Sequence, residues 1–424
     1  MFFRQWDKLI KIANSTNGLL STQKALLSGI DTFLRRPSNV TYRAPHVRDA
    51  TDLKRFMMLV VVGLIPCTLF GIWNTGTNAY LSIGCQSTFF EAFLEGLLHV
   101  LPLIIISYTA GGICETLFAQ ARKHEIAEGF LVTGLLYPLI CPATIPWWIF
   151  IIGIVFGIII GKEVFGGTGM NIINPALLSR AFLFFAYPAF MSGDDPWIVK
   201  PFNKLDDGTL IPSNWTTIAE EKILMFINNT GGSIDALTGQ TPLALATNIS
   251  TNDVNTNINE FLHEIYSTWD MFIGNIPGSI GETSTLMCLI GGCILLLVGV
   301  ASWRIMLSVL VGAYVTALIF NFVATPDTSS LMHITPIDHI VMGGFAFGMI
   351  FMATDPVTSP LHNISKFIYG ISIGALCILI RTINPAYPEG MMLSILFMNI
   401  FSPFIDHYVI KYFINKRKEG VNRA

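Results

Sequence analysis

Three acidic residues lie inside or at the edge of long apolar stretches of this sequence. They are Glu115, Asp355 and Asp406. Ionisable groups at membrane depth usually mark an ion path, and carboxylates suit a small hard cation because such ions take oxygen ligands. The three residues are therefore candidate cation ligands, unless they cap helix ends or pair with Lys and Arg side chains.

Two phenylalanines, Phe347 and Phe351, are four residues apart and would share one face of a helix. Such a pair either packs in the core or forms an apolar constriction that gates a pore by excluding water. Gly343, Gly344 and Gly348 flank the pair, and they would give a gate room to move.

A glycine-rich break between two apolar stretches is a candidate binding loop. It contains Gly166, Gly167, Thr168 and Gly169 and is followed by Asn171 and Asn174. Glycines leave backbone N–H groups open to a ligand, and the two amide side chains could hydrogen-bond a flat heterocycle. The alternative is a turn that serves packing alone.

Two further segments hold polar residues suited to chemistry. One is the run Asp235, Ala236, Leu237, Thr238, Gly239, Gln240 and Thr241, which from its residues alone is a turn and a helix start with Thr238 or Thr241 as N-cap. The other holds Arg43, His46, Arg48 and Asp49. These either anchor the chain on anionic lipid headgroups or, through His46 or Asp49, exchange protons with a substrate near neutral pH.

Composition indicates that membrane helices position these residues. The 424-residue chain is 52% hydrophobic and 12% charged, with a mean hydropathy of +0.59, whereas soluble domains carry about 25% charged residues. Apolar stretches able to cross hydrocarbon, which need about 17–25 residues each, lie near 56–74, 92–113, 127–141, 146–161, 174–191, 284–301, 304–323, 337–353, 366–382 and 390–407. We therefore predict an all-α integral membrane protein with about ten transmembrane helices, in which either short stretch between 127 and 161 could be re-entrant. No nucleic-acid partner is expected.

The distribution of charge predicts which side each loop faces. Residues 1–55 hold ten Lys and Arg against four acids, and the tail from 411 holds five against one. The long loop 192–283 holds three against twelve. Because Lys and Arg accumulate on the cytoplasmic side, both termini are predicted to be cytoplasmic and the long loop extracytoplasmic.

A short sequence echo predicts two related halves. Ile-Asn-Pro-Ala occurs at 173–176 and again at 383–386, each time before a helix that starts at a Pro/Gly-rich break. Two inverted five-helix repeats would place these copies on opposite sides of the membrane. The predicted division is a basic N-terminal segment 1–55, a first repeat 56–191, an outer loop 192–283, a second repeat 284–407 and a basic tail 408–424.

The seven cysteines form no CxxC pair and lie mostly in apolar runs. We interpret them as packing residues, so no zinc or iron–sulfur site is predicted for this chain. The N-terminus also lacks the pattern of a cleavable signal peptide.

Several long motifs resemble the B subunits of Na⁺-translocating NADH:quinone oxidoreductases, whose family also contains the D subunits of Rnf complexes. The motifs lie within 161–188, 274–282, 343–348, 352–356 and 384–390. The resemblance extends from about Arg43 to Lys418. It implies a membrane electron-transfer subunit in the bacterial inner membrane.

The resemblance also implies cofactors and sites. Thr238-Gly239-Gln240-Thr241 is similar to the family signature for FMN held by a phosphoester bond, with Thr and Gln where Ser and Ala are usual. Thr241 would carry the FMN, with Asp235 beside it, and a flavin transferase outside the cytoplasm would attach it. A non-covalent riboflavin would bind the glycine-rich loop. The implied quinone site contains Arg43, His46, Arg48, Gly111 and Gly112, with His46 and Asp49 supplying protons. The implied Na⁺ path contains Glu115, Asp355, Asp406, Phe347 and Phe351.

The implied reaction passes electrons through the flavins to ubiquinone or menaquinone, coupled to Na⁺ translocation. The partners implied are a subunit with NADH, FAD and iron–sulfur sites and a second FMN-carrying subunit. Two alternatives remain. One is an Rnf-type subunit that reduces a soluble acceptor, and the other is a channel or carrier for a small solute, which would not need the flavin motif.

Overall fold

The computed structural model describes residues 53–122, 129–193, 195–204, 210–229, 239–248, 258–325, 328–384 and 389–423. In these residues the chain is helical apart from one two-stranded hairpin and the connecting loops.

The first half forms five helices. They are α1 (Leu53–Ser82), α2 (Phe89–Arg122), α3 (Gly129–Leu139), α4 (Trp147–Ile158) and α5 (Pro175–Ala186). A π-helical turn, Ile159–Glu163, continues α4 into the glycine-rich loop. The side chain of Asn174 caps α5 by accepting from the N–H of Ala176 at 3.0 Å, and Pro175 suits the first helical position because its missing N–H is not needed there.

Short elements connect the two halves. They are a 3₁₀ turn (Pro188–Phe190), β1 (Phe202–Lys204), β2 (Leu210–Pro212), α6 (Glu220–Asn229), α7 (Pro242–Asn248), α8 (Ile258–Ile265) and α9 (Thr268–Ile273). The strands are antiparallel, with Phe202 opposite Pro212. The hairpin packs on the end of α1 through a small core that includes Tyr80 and Ile83.

The second half again starts with two apolar helices and continues through a broken one. Its elements are α10 (Thr285–Val298), α11 (Trp303–Val323), a 3₁₀ turn (Ser330–His333), α12 (Pro336–Val341), α13 (Phe345–Phe347), a π-helical turn (Gly348–Met352), α14 (Asn363–Ile383) and α15 (Met391–Arg423). The break after α12 contains Gly343, whose φ of 65° suits glycine.

The helix lengths confirm the predicted class of an all-α, multi-pass membrane protein. In the described part of the chain, α1, α2, α11, α14 and α15 are long and apolar enough to cross a membrane, whereas α3, α5 and α10 are apolar but shorter. Each predicted apolar stretch contains helix. The stretch at 337–353 is not one continuous helix, because the backbone breaks between α12 and α13.

Glycines allow the long helices to pack backbone to backbone. A Cβ added to Gly76 or Gly96 would lie 1.8 or 1.7 Å from a carbonyl oxygen across the α1–α2 contact. A Cβ on Gly312 or Gly374 would lie 2.3 or 2.2 Å from a carbonyl oxygen between α11 and α14. Small residues at helix contacts are typical of membrane bundles.

The short helices α3 and α12 both end inside the protein. Beyond α3, the carbonyl oxygens of Leu139 and Cys141 accept from the N–H groups of Gly281 and Ile280 at 2.7 and 3.3 Å. At the end of α12, the guanidinium of Arg381 donates to the carbonyl oxygens of His339 and Met342. Since water cannot satisfy backbone groups in hydrocarbon, these contacts allow two helices to stop inside the bundle.

Candidate functional site

A cavity of about 640 Å³, including the part open to solvent, lies between the start of α7 and the loop before α10. It is lined by Phe184, Met191, Ser192, Gly193, Trp197, Thr241, Pro242, Leu243, Ala244, Ile276, Pro277, Gly278, Ser279, Glu282, Thr283, Gly343 and Glu389. We call it the outer cavity.

Thr241 lies in the wall of the outer cavity and caps α7. Its Oγ1 accepts a hydrogen bond from the N–H of Ala244 at 3.2 Å. The hydroxyl of Tyr266 donates to the carbonyl of the preceding residue, Gln240, at 3.1 Å. Burial raises the pKa of the Tyr266 phenol, so this group stays protonated and holds the backbone in place. The N-cap interpretation of Thr241 is therefore confirmed, and its hydroxyl also borders a cavity.

A buried ion cluster forms another wall of the outer cavity. The guanidinium of Arg180, on α5, donates from Nη1 to both carboxylate oxygens of Glu282, at 2.8 and 3.0 Å. Its Nη2 pairs with Glu389 and lies 3.4 Å from the hydroxyl of Ser279. The Arg180 and Glu282 side chains are 2% and 4% exposed. Arg180 therefore faces protein, and its contact with Glu389 joins the two halves of the chain.

Two features shape the cavity wall beside this cluster. A Cβ added to Gly344 would lie 2.8 Å from the carboxylate of Glu282, so glycine at 344 allows the carboxylate to approach the break after α12. The hydroxyl of Thr283 is buried and has no hydrogen-bond partner among the described residues. Because a buried polar atom without a partner is unfavourable, Thr283 is a candidate contact for a ligand.

The glycine-rich loop lies at a second cavity, of about 390 Å³. Thr168, Asn171 and Asn174 line it together with Lys162 and Asp355. Asn171 is held by its own loop, because it accepts from the N–H of Gly169 at 3.2 Å and donates to Ile173 at 3.1 Å. The Thr168 hydroxyl is buried and has no hydrogen-bond partner among the described residues. We call this the inner cavity.

The glycines of the loop adopt backbone conformations that favour glycine. Gly166, Gly167 and Gly169 all have positive φ, at 114°, 98° and 93°. Space is open around the Cβ positions of Gly167 and Gly169. Of the predicted loop residues, Thr168, Asn171 and Asn174 line the inner cavity.

Asp355 also borders a neighbouring cavity of about 360 Å³ that is lined in part by Asn174, Phe351 and Pro356. The carboxylate of Asp355 accepts from the N–H of Val357 at 3.3 Å and from the hydroxyl of Thr358 at 3.0 Å. Asp355 therefore faces two cavities while it stabilises the turn that follows it.

Phe347 and Phe351 are buried and in contact, with ring centroids 5.0 Å apart and ring planes at 49°. Phe347 lies in α13 and Phe351 in the π-helical turn that follows it. A Cβ on Gly291 would lie 2.7 Å from the Phe351 ring, so α10 encloses the pair. This geometry is compatible with both core packing and an apolar constriction.

The other two carboxylates have structural partners. Glu115 forms a buried ion pair with Lys162, whose side chain is 3% exposed. Asp406 accepts from the N–H groups of Leu361 and His362, at 2.7 and 3.2 Å, and so connects α15 to the start of α14. These contacts agree with the alternative that the two carboxylates cap helix ends or pair with Lys and Arg side chains. The predicted ion path through Glu115 and Asp406 stays a prediction.

The candidate quinone residues are only partly described. Gly111 is packed tightly, since an added Cβ would lie 2.5 Å from the Phe130 ring, whereas at Gly112 the nearest contact is 3.7 Å. Gly239 is buried beside Thr241. The predictions for Arg43, His46, Arg48, Asp49, Asp235 and Thr238 lie outside the described residues.

Comparison with known proteins identifies the family. A family model described as "NQR2, RnfD, RnfE family" matches residues 40–415. The chain belongs to the NQR2, RnfD, RnfE family. The resemblance inferred from the motifs is thereby confirmed.

Relatives within the NQR2, RnfD, RnfE family cover almost the whole chain. The B subunit of the Na(+)-translocating NADH-quinone reductase of Chromohalobacter salexigens is 40% identical and covers 93% of this chain and 90% of its own length. Proteins of the same name from Chlamydia abortus and Neisseria meningitidis are 39% and 40% identical, and cover 92% and 94% of this chain and 94% of their own length in each case.

Glu282 and Glu389 are the site residues that the sequence did not single out. Both occur in motifs that carried the family resemblance, but neither was assigned a role. The sequence did contain a signal that such acidic residues exist. It was Arg180, because an arginine inside an apolar stretch needs a buried anionic partner. Which acids would meet it could not be inferred, since they are 102 and 209 residues away along the chain.

Proposed function

We propose that this chain is the flavin-carrying membrane subunit of a Na⁺-translocating NADH:quinone oxidoreductase. The observation that carries the proposal is the position of Thr241, which lines the outer cavity together with Glu282, Thr283 and Glu389. The names of the relatives supply the reaction: they are subunits of Na(+)-translocating NADH-quinone reductases.

We assign Thr241 as the attachment point of FMN. The Thr241 oxygen can become the ester oxygen of a phosphate without loss of its N-cap role, because an ester oxygen still accepts hydrogen bonds. The Thr283 hydroxyl, which has no partner among the described residues, supports a ligand in contact with this wall. Gly239 would help to shape this site together with Asp235 and Thr238. FMN bound there would supply one- and two-electron transfer.

We assign the inner cavity to a second flavin, riboflavin. Its walls contain the polar side chains of Thr168, Asn171 and Asn174, and Gly167 and Gly169 lie in the same loop with open space at their Cβ positions. The quinone would bind near the cytoplasmic ends of the helices, at Gly111 and Gly112 with the segment that holds Arg43 and Arg48. His46 and Asp49 would supply the protons that quinol formation takes up.

We propose that Na⁺ passes between the two halves of the chain. Asp355 supports this route best, since it borders two adjoining cavities, one of which also contacts Phe351. Phe347 would complete the constriction, and Glu115 and Asp406 would act at the entrance. Carboxylate oxygens would offset the loss of hydration of the ion.

We propose two inverted five-helix repeats, with ten crossings of the bacterial inner membrane and both termini in the cytoplasm. The packing of equivalent helices on each other supports the repeat: α1 contacts α10, the first helix of each half, and α5 contacts α15, the fifth of each half. A pseudo-two-fold axis brings equivalent elements together in this way. The matching positions of the short helices α3 and α12 also support it.

The proposed partners follow from the same assignment. Electrons would reach this chain from a subunit with NADH, FAD and iron–sulfur sites and from a second FMN-carrying subunit, and a flavin transferase would attach the FMN. The family also includes RnfD, so an Rnf-type subunit is the second candidate. A small-solute carrier is the third, and it would carry no flavin.

Covalent flavin at Thr241 is tested by ultraviolet fluorescence of the chain in a denaturing gel. We expect fluorescence in the wild type and its loss in Thr241→Asn, because asparagine keeps the N-cap of α7 but has no hydroxyl to form the ester. Thr241→Ser should keep the label. Thr238→Ala should only reduce it, because Thr238 belongs to the motif but does not form the ester.

Thr247→Ala is the matched control, since Thr247 lies at the other end of α7 and its hydroxyl donates to the Ala244 carbonyl at 2.7 Å. This variant should remain labelled. A fluorescent Thr241→Asn chain would show that another residue carries the flavin, and a wild-type chain without fluorescence would reject the proposal.

A further inference from the structure

The ion cluster beside Thr241 contains more acidic than basic groups. Arg180 supplies one positive charge, while Glu282 and Glu389 supply two carboxylates, both of which line the outer cavity. Arg180 and Glu282 are almost fully buried, and the Glu389 side chain is 20% exposed. Burial raises the pKa of the Glu282 carboxyl to about 7 even though Arg180 acts in the opposite direction. Above that pH the cluster leaves one negative charge at the cavity wall, in surroundings where charges interact more strongly than in water.

A second arginine approaches the same wall from behind. A Cβ on Gly343 would lie 3.5 Å from Nη2 of Arg381. The guanidinium of Arg381, however, donates to the carbonyl oxygens of His339 and Met342 at the end of α12. A cation at the C-terminal end of a helix is stabilised by the partial negative charge there, so Arg381 needs no carboxylate. Its charge is the same in the wild type and in any variant of Glu282 or Glu389, and so it does not affect a comparison between them.

The cavity also has a neutral polar contact beside the excess carboxylate. The Thr283 hydroxyl is buried, has no hydrogen-bond partner among the described residues and lines the same cavity as Glu389. A ligand that reaches Thr283 would therefore lie beside the carboxylates. This second observation indicates that the cluster contacts a bound group and does not only join the helices.

We propose that Glu282 and Glu389, held by Arg180, lower the reduction potential of the flavin carried by Thr241. This inference rests on the proposed function. Reduction adds negative charge to the flavin ring, and a nearby carboxylate disfavours that charge. Neither carboxylate transfers electrons; both are positioning residues that set the electrostatic potential at the site.

Glu389→Gln is the most informative variant. It removes the excess negative charge but leaves Arg180 paired with Glu282 through two hydrogen bonds, so no buried cation is stranded. Removing Arg180 would instead leave two buried carboxylates facing each other, which is strongly destabilising. Glu282→Gln is the second variant, because it leaves Arg180 paired with Glu389.

The experiment is a redox titration of the purified complex at a pH well above the Glu282 pKa of about 7, with the Thr241-linked flavin followed as the difference between wild type and Thr241→Asn. We expect Glu389→Gln to favour the reduced flavin at least tenfold, an upward shift of about 30 mV for a two-electron couple or 59 mV for one electron. If Glu389→Gln does not assemble, the same shift is expected in Glu282→Gln. Glu264→Gln, at an exposed residue of α8, should leave the potential unchanged.

The outcomes separate the inference from the proposed function. Suppose that the Glu389→Gln or Glu282→Gln chain is fluorescent and that its ratio of reduced to oxidised flavin, at a fixed potential, lies within threefold of the wild-type ratio. This result overturns the inference and leaves the flavin assignment intact. A wild-type chain without fluorescence rejects the flavin assignment, and the inference with it. A shift of equal size in Glu264→Gln would show that the effect is not specific to the cluster and would also overturn it.

Discussion

At the scale of single residues, the buried charges of this protein have different functions according to their partners. Arg180 and Glu282 join the two halves, and removing one member of such a pair costs about 3–5 kcal/mol because the other is left buried and unpaired. Glu115 and Lys162 form a second buried pair. Asp355 differs from these, since its carboxylate accepts from a backbone N–H and a hydroxyl, and it borders two cavities.

This difference predicts that Asp355 is the carboxylate whose loss most directly alters Na⁺ use. Asp355→Asn should raise the Na⁺ concentration for half-maximal quinone reduction by about tenfold to a hundredfold, or about 1.4–2.8 kcal/mol. The reason is that an amide keeps one oxygen but loses the charge that offsets dehydration of the ion. The measurement is a Na⁺ titration of quinone reductase activity at unchanged flavin content.

Glu115→Gln provides the contrast for this prediction. The substitution leaves Lys162 buried without its anionic partner, so we expect the thermal stability to fall. Adding Lys162→Met to the same chain should restore it. If the double variant still needs far more Na⁺ than the wild type, Glu115 is itself an ion ligand and not only the partner of Lys162. An unaltered Na⁺ titration for Asp355→Asn would remove Asp355 from the ion path.

At the scale of elements, hydropathy predicted the helices but not their breaks. The apolar stretch at 337–353 contains α12, an extended Met342, two glycines and α13, and no proline within it marks the break. The break is stabilised by Arg381 and by the close approach of Glu282 to Gly344, contacts that form only in the folded chain. Likewise, the Thr241 motif was recognised from its residues, whereas its place in one cavity with Glu282 and Glu389 depends on contacts between distant segments.

The tight contact between α1 and α2 gives a prediction about one glycine. Gly96→Ala should lower the melting temperature of the detergent-solubilised protein, because its Cβ would lie 1.7 Å from the Ile72 carbonyl oxygen and would push the helices apart. Overpacking of this kind costs about 1–3 kcal/mol or more. Thermal unfolding followed by circular dichroism measures the change.

Gly112→Ala is the control on the same helix. Its added Cβ would make only an ordinary contact, 3.7 Å from the Phe130 ring, and alanine favours helix over glycine by about 1 kcal/mol. Equal melting temperatures for the two variants would show that α1 and α2 are not in backbone contact.

At the scale of the whole molecule, the number of crossings decides which cavity faces which side. The outer cavity holds Thr241, and the inner cavity holds the glycine-rich loop. If the proposed inverted repeats are right, the first is reached from outside and the second from the cytoplasm. A flavin transferase outside the cytoplasm could then reach Thr241 but not Thr168.

The accessibility of introduced cysteines tests this arrangement. An odd number of crossings places two residues on opposite sides of the membrane, and an even number places them on the same side. Between Glu221, on α6, and Asn415, near the end of α15, lie the five helical segments of the second half. Five crossings place the two residues on opposite sides, whereas four crossings, with the broken α12–α13 segment entering and leaving on one side, place them on the same side.

Both residues are exposed, so in a Cys85→Ser background Glu221→Cys should react with a membrane-impermeant thiol reagent added to intact cells from the periplasmic side. Asn415→Cys should react only after the membrane is opened. Labelling of both in intact cells would show that α12–α13 is re-entrant, and labelling of Asn415→Cys alone would invert the orientation and place Thr241 out of reach of the transferase.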